Sequence, residues 1–124
     1  MTHKRPVNLD LGSFKYPPMA IASILHRISG LVLFLLMPLM LYFLSMSLRS
    51  AESFDQLQLM LTRCSYKFML WAFSTALIYH LLAGIRHMLM DIGIGEQLNV
   101  GRRSAIIVMI LAFILTIFLG IWLW

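Results

Sequence analysis

Charged residues are scarce in this sequence. Asp, Glu, Lys and Arg make up 12% of the 124 residues, whereas hydrophobic residues make up 60%. A water-soluble domain carries about 25% charged residues, so this composition excludes one and indicates an integral membrane protein. Lys and Arg outnumber Asp and Glu by ten to five. Because these cations lie outside the long apolar runs and not on one soluble face, they argue against nucleic-acid binding and for membrane flanks.

Cysteine is nearly absent, since Cys64 is the single one. One cysteine excludes a disulfide within the chain. The sequence also lacks the CxxCH motif that attaches c-type haem covalently. Any haem bound by this chain would therefore be held noncovalently.

Three long runs contain no charged residue. They have 21, 18 and 21 residues and cover residues 28–48, 68–85 and 104–124. Each spans roughly 27 to 32 Å as a helix, which matches the hydrocarbon core of a bilayer. The pattern predicts an all-α integral membrane protein with one domain over residues 1–124. We expect a polar leader at residues 1–22 and three transmembrane helices at about 23–48, 67–87 and 104–124.

The basic residues predict an orientation, because the cytoplasmic side of a membrane protein retains Lys and Arg. Seven of them lie before the first run or in the second connector, and three lie in the first connector. This count places the N-terminus inside and the C-terminus outside. The tryptophans agree, since all three then lie near the outer interface: Trp71, Trp122 and Trp124.

The connectors are too short for a catalytic domain. In residues 49–67, Ser53 and Gln56 have the spacing of a capping box, which would begin an interfacial helix, but we favour a loop lying on the membrane. In residues 86–103, we expect three glycines to end the second helix and turn the chain: Gly93, Gly95 and Gly101. Pro38 is expected to kink the first helix.

Polar residues near or inside the membrane are the candidates for function. Ser23, His26 and Arg27 precede the first run and share one helix face if the helix begins near Met19 or Ala20. They would present a hydroxyl, an imidazole and a guanidinium at the inner interface. The alternative is that Arg27 only reaches lipid headgroups and that His26 lies in the same layer.

His80 lies six residues inside the second run, and an imidazole at that depth needs a hydrogen-bond partner or a metal. It is therefore either a metal ligand or a structural histidine bonded to a neighbouring helix. His87 is roughly 10 Å farther along the same helix, so the two cannot both be axial ligands of one iron. With His26 in the leader, this chain offers one imidazole at that depth. If His80 binds haem, a site with two imidazole ligands would need its second ligand from another chain, although a methionine is an alternative weak axial ligand.

Two motifs resemble a known family. The segment Arg5-Pro6-Val7 with Ser23-x-x-His26-Arg27-x-Ser29 looks like the N-terminal signature of the cytochrome b large membrane-anchor subunit of succinate dehydrogenase. The segment His80-x-x-x-Gly84-Ile85-Arg86-His87-x-x-x-Asp91-x-Gly93 looks like its second signature. The motifs cover about a third of the chain, and its length, three spans and charge placement agree with the family.

The resemblance implies an anchor for a flavoprotein and an iron-sulfur subunit, with activity that belongs to the assembled complex. It implies a noncovalent haem b shared with a second small hydrophobic anchor subunit, and a site that reduces ubiquinone. His80 would be the axial ligand of the haem iron, and Ser23 and Arg27 would line the quinone site. His26 and Arg27 would lie near the haem propionates, for which Arg86 and His87 are further candidates.

Two alternatives remain at this point. One is the anchor of a related fumarate reductase that runs in the opposite direction. The other is a small structural or transport membrane protein in which His80 binds no cofactor. Because residues 1–27 show no amphipathic Arg- and Ser-rich transit segment and no signal peptide, we expect a multi-pass protein retained in a bacterial inner membrane.

Overall fold

The structure, a computed structural model, describes residues 17–124 and consists there of four α-helices. The predicted polar leader lies mostly outside these residues. Three of the helices are long and apolar enough to cross a membrane, as the uncharged runs predict, and the fourth is short. The helices are α1 (Pro18–Arg49), α2 (Ala51–Leu61), α3 (Cys64–Asp91) and α4 (Leu98–Leu123).

Two prolines set the beginning of α1. Pro17 is the N-cap residue with extended backbone, and Pro18 occupies the first helical turn, where a missing N–H costs no hydrogen bond. The helix therefore begins ten residues before the uncharged run and carries Ser23, His26 and Arg27 in its first turns. It runs on through Pro38 to Arg49 without interruption.

The first connector differs from the expectation of a loop, because most of it forms α2. The cap also differs from the predicted one: Ser50 is the N-cap residue, and its hydroxyl accepts the backbone N–H of Ser53 at 3.0 Å. Leu57 of α2 is buried against Phe43 and Met46 of α1. Because an apolar face is available on α1, packing favours the helix over a free loop.

The second connector turns at two of its three glycines. Gly93 and Gly95 have φ angles of 90° and 75°, a region that side chains with a Cβ rarely adopt. Gly101 was expected in this turn, but it lies inside α4. A Cβ on Gly101 would come within 3.0 Å of the sulfur of Met19, so this glycine permits close packing of α1 and α4. Helix α4 thus begins six residues earlier than predicted.

The three long helices pack as an up-down-up bundle with α1 and α4 both against α3. Small residues dominate the buried positions between them, which lets helix backbones approach closely in a membrane. In the most apolar 18-residue segment of each long helix, few residues are buried within this chain: 11% in α1, 11% in α3 and 6% in α4. Most of their apolar surface therefore lies on the outside of the bundle. The small buried residues are Ala22, Ser29, Ala76, Ala83, Gly101, Ala105 and Ala112.

One buried cation joins α3 to α4. Arg86 is 9% exposed, and its Nε donates to the Ser104 hydroxyl at 2.9 Å. Its Nη2 donates to the Gly101 carbonyl at 3.1 Å, and Ser104 donates to the same carbonyl at 3.0 Å. The planar guanidinium therefore donates to two acceptors on the neighbouring helix. The compact ammonium of a lysine does not present donors in this fixed geometry.

Two tryptophans pack at the end of the bundle that lies away from Arg86. Trp71 donates its indole N–H to the Thr116 carbonyl at 3.1 Å and meets Trp124 edge to face at 6.3 Å. The Lys67 ammonium lies 5.7 Å from the Trp124 ring centroid, within range of a cation–π interaction. The expectation that Trp71 and Trp124 lie at the same end is confirmed.

We predict that Arg86→Ala destabilises the bundle by about 1–3 kcal/mol, because it removes the two hydrogen bonds between α3 and α4. Thermal unfolding in detergent measures the change. Arg103→Ala is the matched control, since Arg103 is an exposed cation on α4. Equal stability of the two variants would contradict the role of Arg86.

Gly120 supports a second prediction, because a Cβ there would come within 3.2 Å of the Trp71 Nε1. We expect Gly120→Val to displace the indole and to lower stability by about 1–3 kcal/mol. Ile121→Val is the control, since Ile121 is 71% exposed. Tryptophan fluorescence and thermal unfolding measure both effects, and an unchanged emission spectrum would show that Trp71 keeps its place.

Candidate functional site

Two histidines from different helices lie face to face. The rings of His26 on α1 and His80 on α3 are stacked, with centroids 4.3 Å apart and planes 15° from parallel. His87 lies about two helical turns after His80 on α3. Its ring centroid is 6.1 Å from that of His26. The structure therefore gathers into one cluster three of the four histidines in the sequence.

His26 lies at the same depth as His80, whereas the sequence predicted a single imidazole there. Helix α1 begins at Pro18, so His26 lies roughly 12 Å along its axis. His80 lies roughly 16 Å from the end of α3 at Asp91, and α3 runs antiparallel to α1. The two imidazoles thus reach a similar depth, because the helix extends well before the uncharged run.

Ser29 connects the two histidines. It is buried with 6% of its surface exposed, its hydroxyl donates to the His26 carbonyl at 2.6 Å, and its oxygen lies 3.0 Å from the His80 Nδ1. Ser29 belongs to the first of the two motifs, but its sequence position predicted no role for it. Its place three residues after His26 was the available signal, but serines in helices commonly bond the preceding turn without any other partner.

Two glycines lie against the imidazoles, and one of them, Gly30, makes room for its neighbour. A Cβ on Gly30 would lie 3.2 Å from the His80 Cε1, which is tighter than ordinary van der Waals contact. A Cβ on Gly84 would lie 3.6 Å from the His26 Nε2. Because Gly30 has no side chain, His80 can approach the backbone of α1 closely enough to meet Ser29.

Arg86 and His87 differ in their surroundings. Arg86 was a candidate for haem propionates, but its guanidinium is directed to Ser104 and Gly101 on α4. Hydrogen bonding within the α3–α4 interface accounts for its burial. His87 is exposed and stays at the edge of the histidine cluster.

Ser23 and Arg27 lie on consecutive turns of α1, as the sequence predicts. Ser23 is half-buried and Arg27 is exposed. Tyr79, beside His80, donates its hydroxyl to the Ala22 carbonyl at 2.7 Å and so joins α3 to the turn of α1 that carries Ser23. This bond was not foreseen, because neither residue belongs to the motifs.

A cavity of about 440 Å³ lies between α1, α3 and α4, beside the histidine cluster. Ser29, Thr75 and Tyr79 are polar members of an otherwise mostly apolar lining. Within residues 17–124, no three His, Cys, Asp or Glu side chains are arranged to hold a metal ion together.

The chain is similar to a defined family over nearly its whole length. The family model described as succinate dehydrogenase/fumarate reductase transmembrane subunit matches residues 1–119. A curated relative from Coxiella burnetii, a succinate dehydrogenase cytochrome b556 subunit, is 52% identical over 100% of both chains.

Further relatives extend the similarity. The succinate dehydrogenase cytochrome b556 subunit of Rickettsia typhi is 34% identical over 96% of this chain and 93% of the relative. The cytochrome b560 subunit of Porphyra purpurea is 34% identical over 82% of this chain and 80% of the relative.

These matches confirm the resemblance drawn from the two motifs. With three helices long and apolar enough to span a membrane, the chain is a multi-pass membrane protein, and the bacterial relatives agree with an inner membrane. The chain belongs to the family of succinate dehydrogenase/fumarate reductase transmembrane subunits.

Proposed function

We propose that this chain is the haem b-binding membrane anchor of a bacterial succinate dehydrogenase. It would hold the flavoprotein and iron-sulfur subunits at the membrane and form part of the site that reduces ubiquinone. The observation that carries this proposal is the contact of His80 with Ser29 and His26, in a chain whose relatives are named cytochrome b subunits. Those names favour succinate dehydrogenase over fumarate reductase.

The donor set at His80 fits a haem iron. Imidazole is a common axial ligand of haem, and the Nδ1 of His80 faces Ser29, as a ligating histidine requires of its second nitrogen. The nitrogen lone pair of imidazole lies in the ring plane. Because His26 stacks on a face of the His80 ring, the lone pair in the ring plane would stay available to hold a haem iron. When bound, haem b supplies a one-electron carrier.

The second axial ligand would come from a partner. His26 and His80 lie face to face with nearly parallel rings, so they would not hold one iron between them. This geometry supports a haem shared with a second small hydrophobic anchor subunit. His26, with Arg27 next to it, would then face the haem propionates.

Ser23 and Arg27 supply the chemistry for a quinone. Reduction of ubiquinone to the quinol takes two electrons and two protons, and negative charge develops on its carbonyl oxygens. A hydroxyl and a guanidinium one turn apart can stabilise that charge by hydrogen bonding. The exposed position of Arg27 supports this role, because a quinone and a docked iron-sulfur subunit can both reach it.

The orientation follows from the charges and from this assignment. With the N-terminus inside and the C-terminus outside, α1 presents Ser23 and Arg27 to the cytoplasmic side, where the iron-sulfur subunit would dock. The large apolar surface that α1, α3 and α4 leave exposed supports packing against lipid and the second anchor.

We predict that His80→Ala lowers the haem content of the purified complex, because one axial ligand is lost. The measurement is the reduced-minus-oxidised optical spectrum, normalised to the flavoprotein subunit. Leu81→Ala is the control, since Leu81 is the exposed neighbour of His80. An unchanged haem spectrum in His80→Ala would overturn the ligand assignment and favour a structural histidine.

We predict that Ser23→Ala and Arg27→Ala lower succinate:ubiquinone reductase activity by about tenfold or more, because each removes a donor to the developing charge. Succinate oxidation with an artificial dye acceptor should remain, since the soluble subunits carry that step. Arg49→Ala at the other end of α1 is the control. Equal loss of both activities would indicate failed assembly, and no loss would remove these residues from the site.

A further inference from the structure

From these contacts we infer that Ser29 is a positioning residue for His80, the proposed haem ligand. It fixes the tautomer of His80 and makes the nitrogen that would bind iron a stronger electron-pair donor. The inference rests on the proposed role of His80 and deepens it. Ser29 belongs to α1 and His80 to α3, so the ligand would be set by the neighbouring helix of the same chain.

The hydrogen bonds of Ser29 have one consistent direction. A serine hydroxyl has one proton, and a backbone carbonyl can only accept. The 2.6 Å bond to the His26 carbonyl therefore uses the Ser29 proton. Across the 3.0 Å contact to His80, the Ser29 oxygen must then accept, so the Nδ1 of His80 carries the hydrogen.

This direction decides the state of the other ring nitrogen. A neutral imidazole with its hydrogen on Nδ1 has a free lone pair on Nε2. The Nε2 is then the nitrogen available to iron. If Ser29 is absent, nothing in this contact selects that tautomer over the one that places the hydrogen on Nε2.

Close packing enforces the contact. Ser29 is buried, and the missing side chain of Gly30 lets the His80 ring lie directly against α1. His26 stacks on the ring at 4.3 Å and limits its rotation. A buried hydrogen bond of this kind orients the ligand and raises its basicity, which stabilises the ferric over the ferrous state.

The experiment compares Ser29→Ala with Ser29→Thr and Ser74→Ala in the assembled complex. Thr keeps the hydroxyl at a position that lines the pocket between α1, α3 and α4. Ser74 also donates to the preceding turn of its helix, at 2.8 Å from the Leu70 carbonyl, and within residues 17–124 it makes no hydrogen bond to a histidine. The readouts are haem per flavoprotein subunit, the midpoint potential of the haem and its low-temperature electron paramagnetic resonance spectrum.

We expect Ser29→Ala to lower haem affinity by about 10- to 100-fold, as is typical for loss of a partner that orients a ligand. The haem that remains should have a higher midpoint potential and shifted resonance signals. Ser29→Thr should restore all three readouts, and Ser74→Ala should leave them at the values of the native protein.

Two outcomes would overturn the inference. One is a Ser29→Ala complex with native haem content, potential and resonance spectrum. The other is a defect that Ser29→Thr does not repair or that Ser74→Ala reproduces, since either would indicate packing and not the hydroxyl. His80→Ala, measured in parallel, separates the two proposals: retained haem in that variant refutes the proposed ligand itself, whereas lost haem with an unaffected Ser29→Ala refutes only the role of Ser29.

Discussion

The close approach of α1 and α3 is the constraint on which the site depends. In a membrane, helices gain little from burying apolar side chains against one another, so small residues and hydrogen bonds decide where they meet. The missing side chain of Gly30 gives the His80 ring room against α1, and the Tyr79 hydroxyl donates to the carbonyl of Ala22, the residue before Ser23. These contacts fix the register of the two helices. Once the register is fixed, His26, Ser29 and His80 come together without further adjustment.

Much of the fold was predictable from the sequence, because the length of an uncharged run reports directly on the thickness of the bilayer. The three spans and the shared end of Trp71 and Trp124 followed from this argument and from the distribution of aromatic residues. The helix ends were less predictable. Helix α1 begins at Pro18, close to the expected start near Met19 or Ala20, whereas Arg102 and Arg103 lie within α4 because backbone hydrogen bonding continues beyond the apolar residues.

The candidate site was predictable in its residue types but not in its contacts. The depth of His80 marked it as a polar residue in need of a partner, whereas the depth of His26 depended on where α1 begins. Arg86 looked like a free cation near the membrane surface, but a sequence does not tell which helix a guanidinium reaches. Ser29 was hidden for a different reason, since its bond to the preceding turn is common to many helical serines.

The bond network of Arg86 has a consequence for the biosynthesis of the protein. Its partners Gly101 and Ser104 follow it by 15 and 18 residues, so they leave the ribosome after α3 is complete. Until α4 emerges, the guanidinium has only water or lipid headgroups near the helix end to satisfy it. If α3 and α4 insert together as a hairpin, Arg86 does not enter the membrane before its partners on α4 are present. The buried arginine therefore links the order of translation to the final arrangement of the bundle, because α3 acquires its full set of hydrogen bonds only when the last helix is in place.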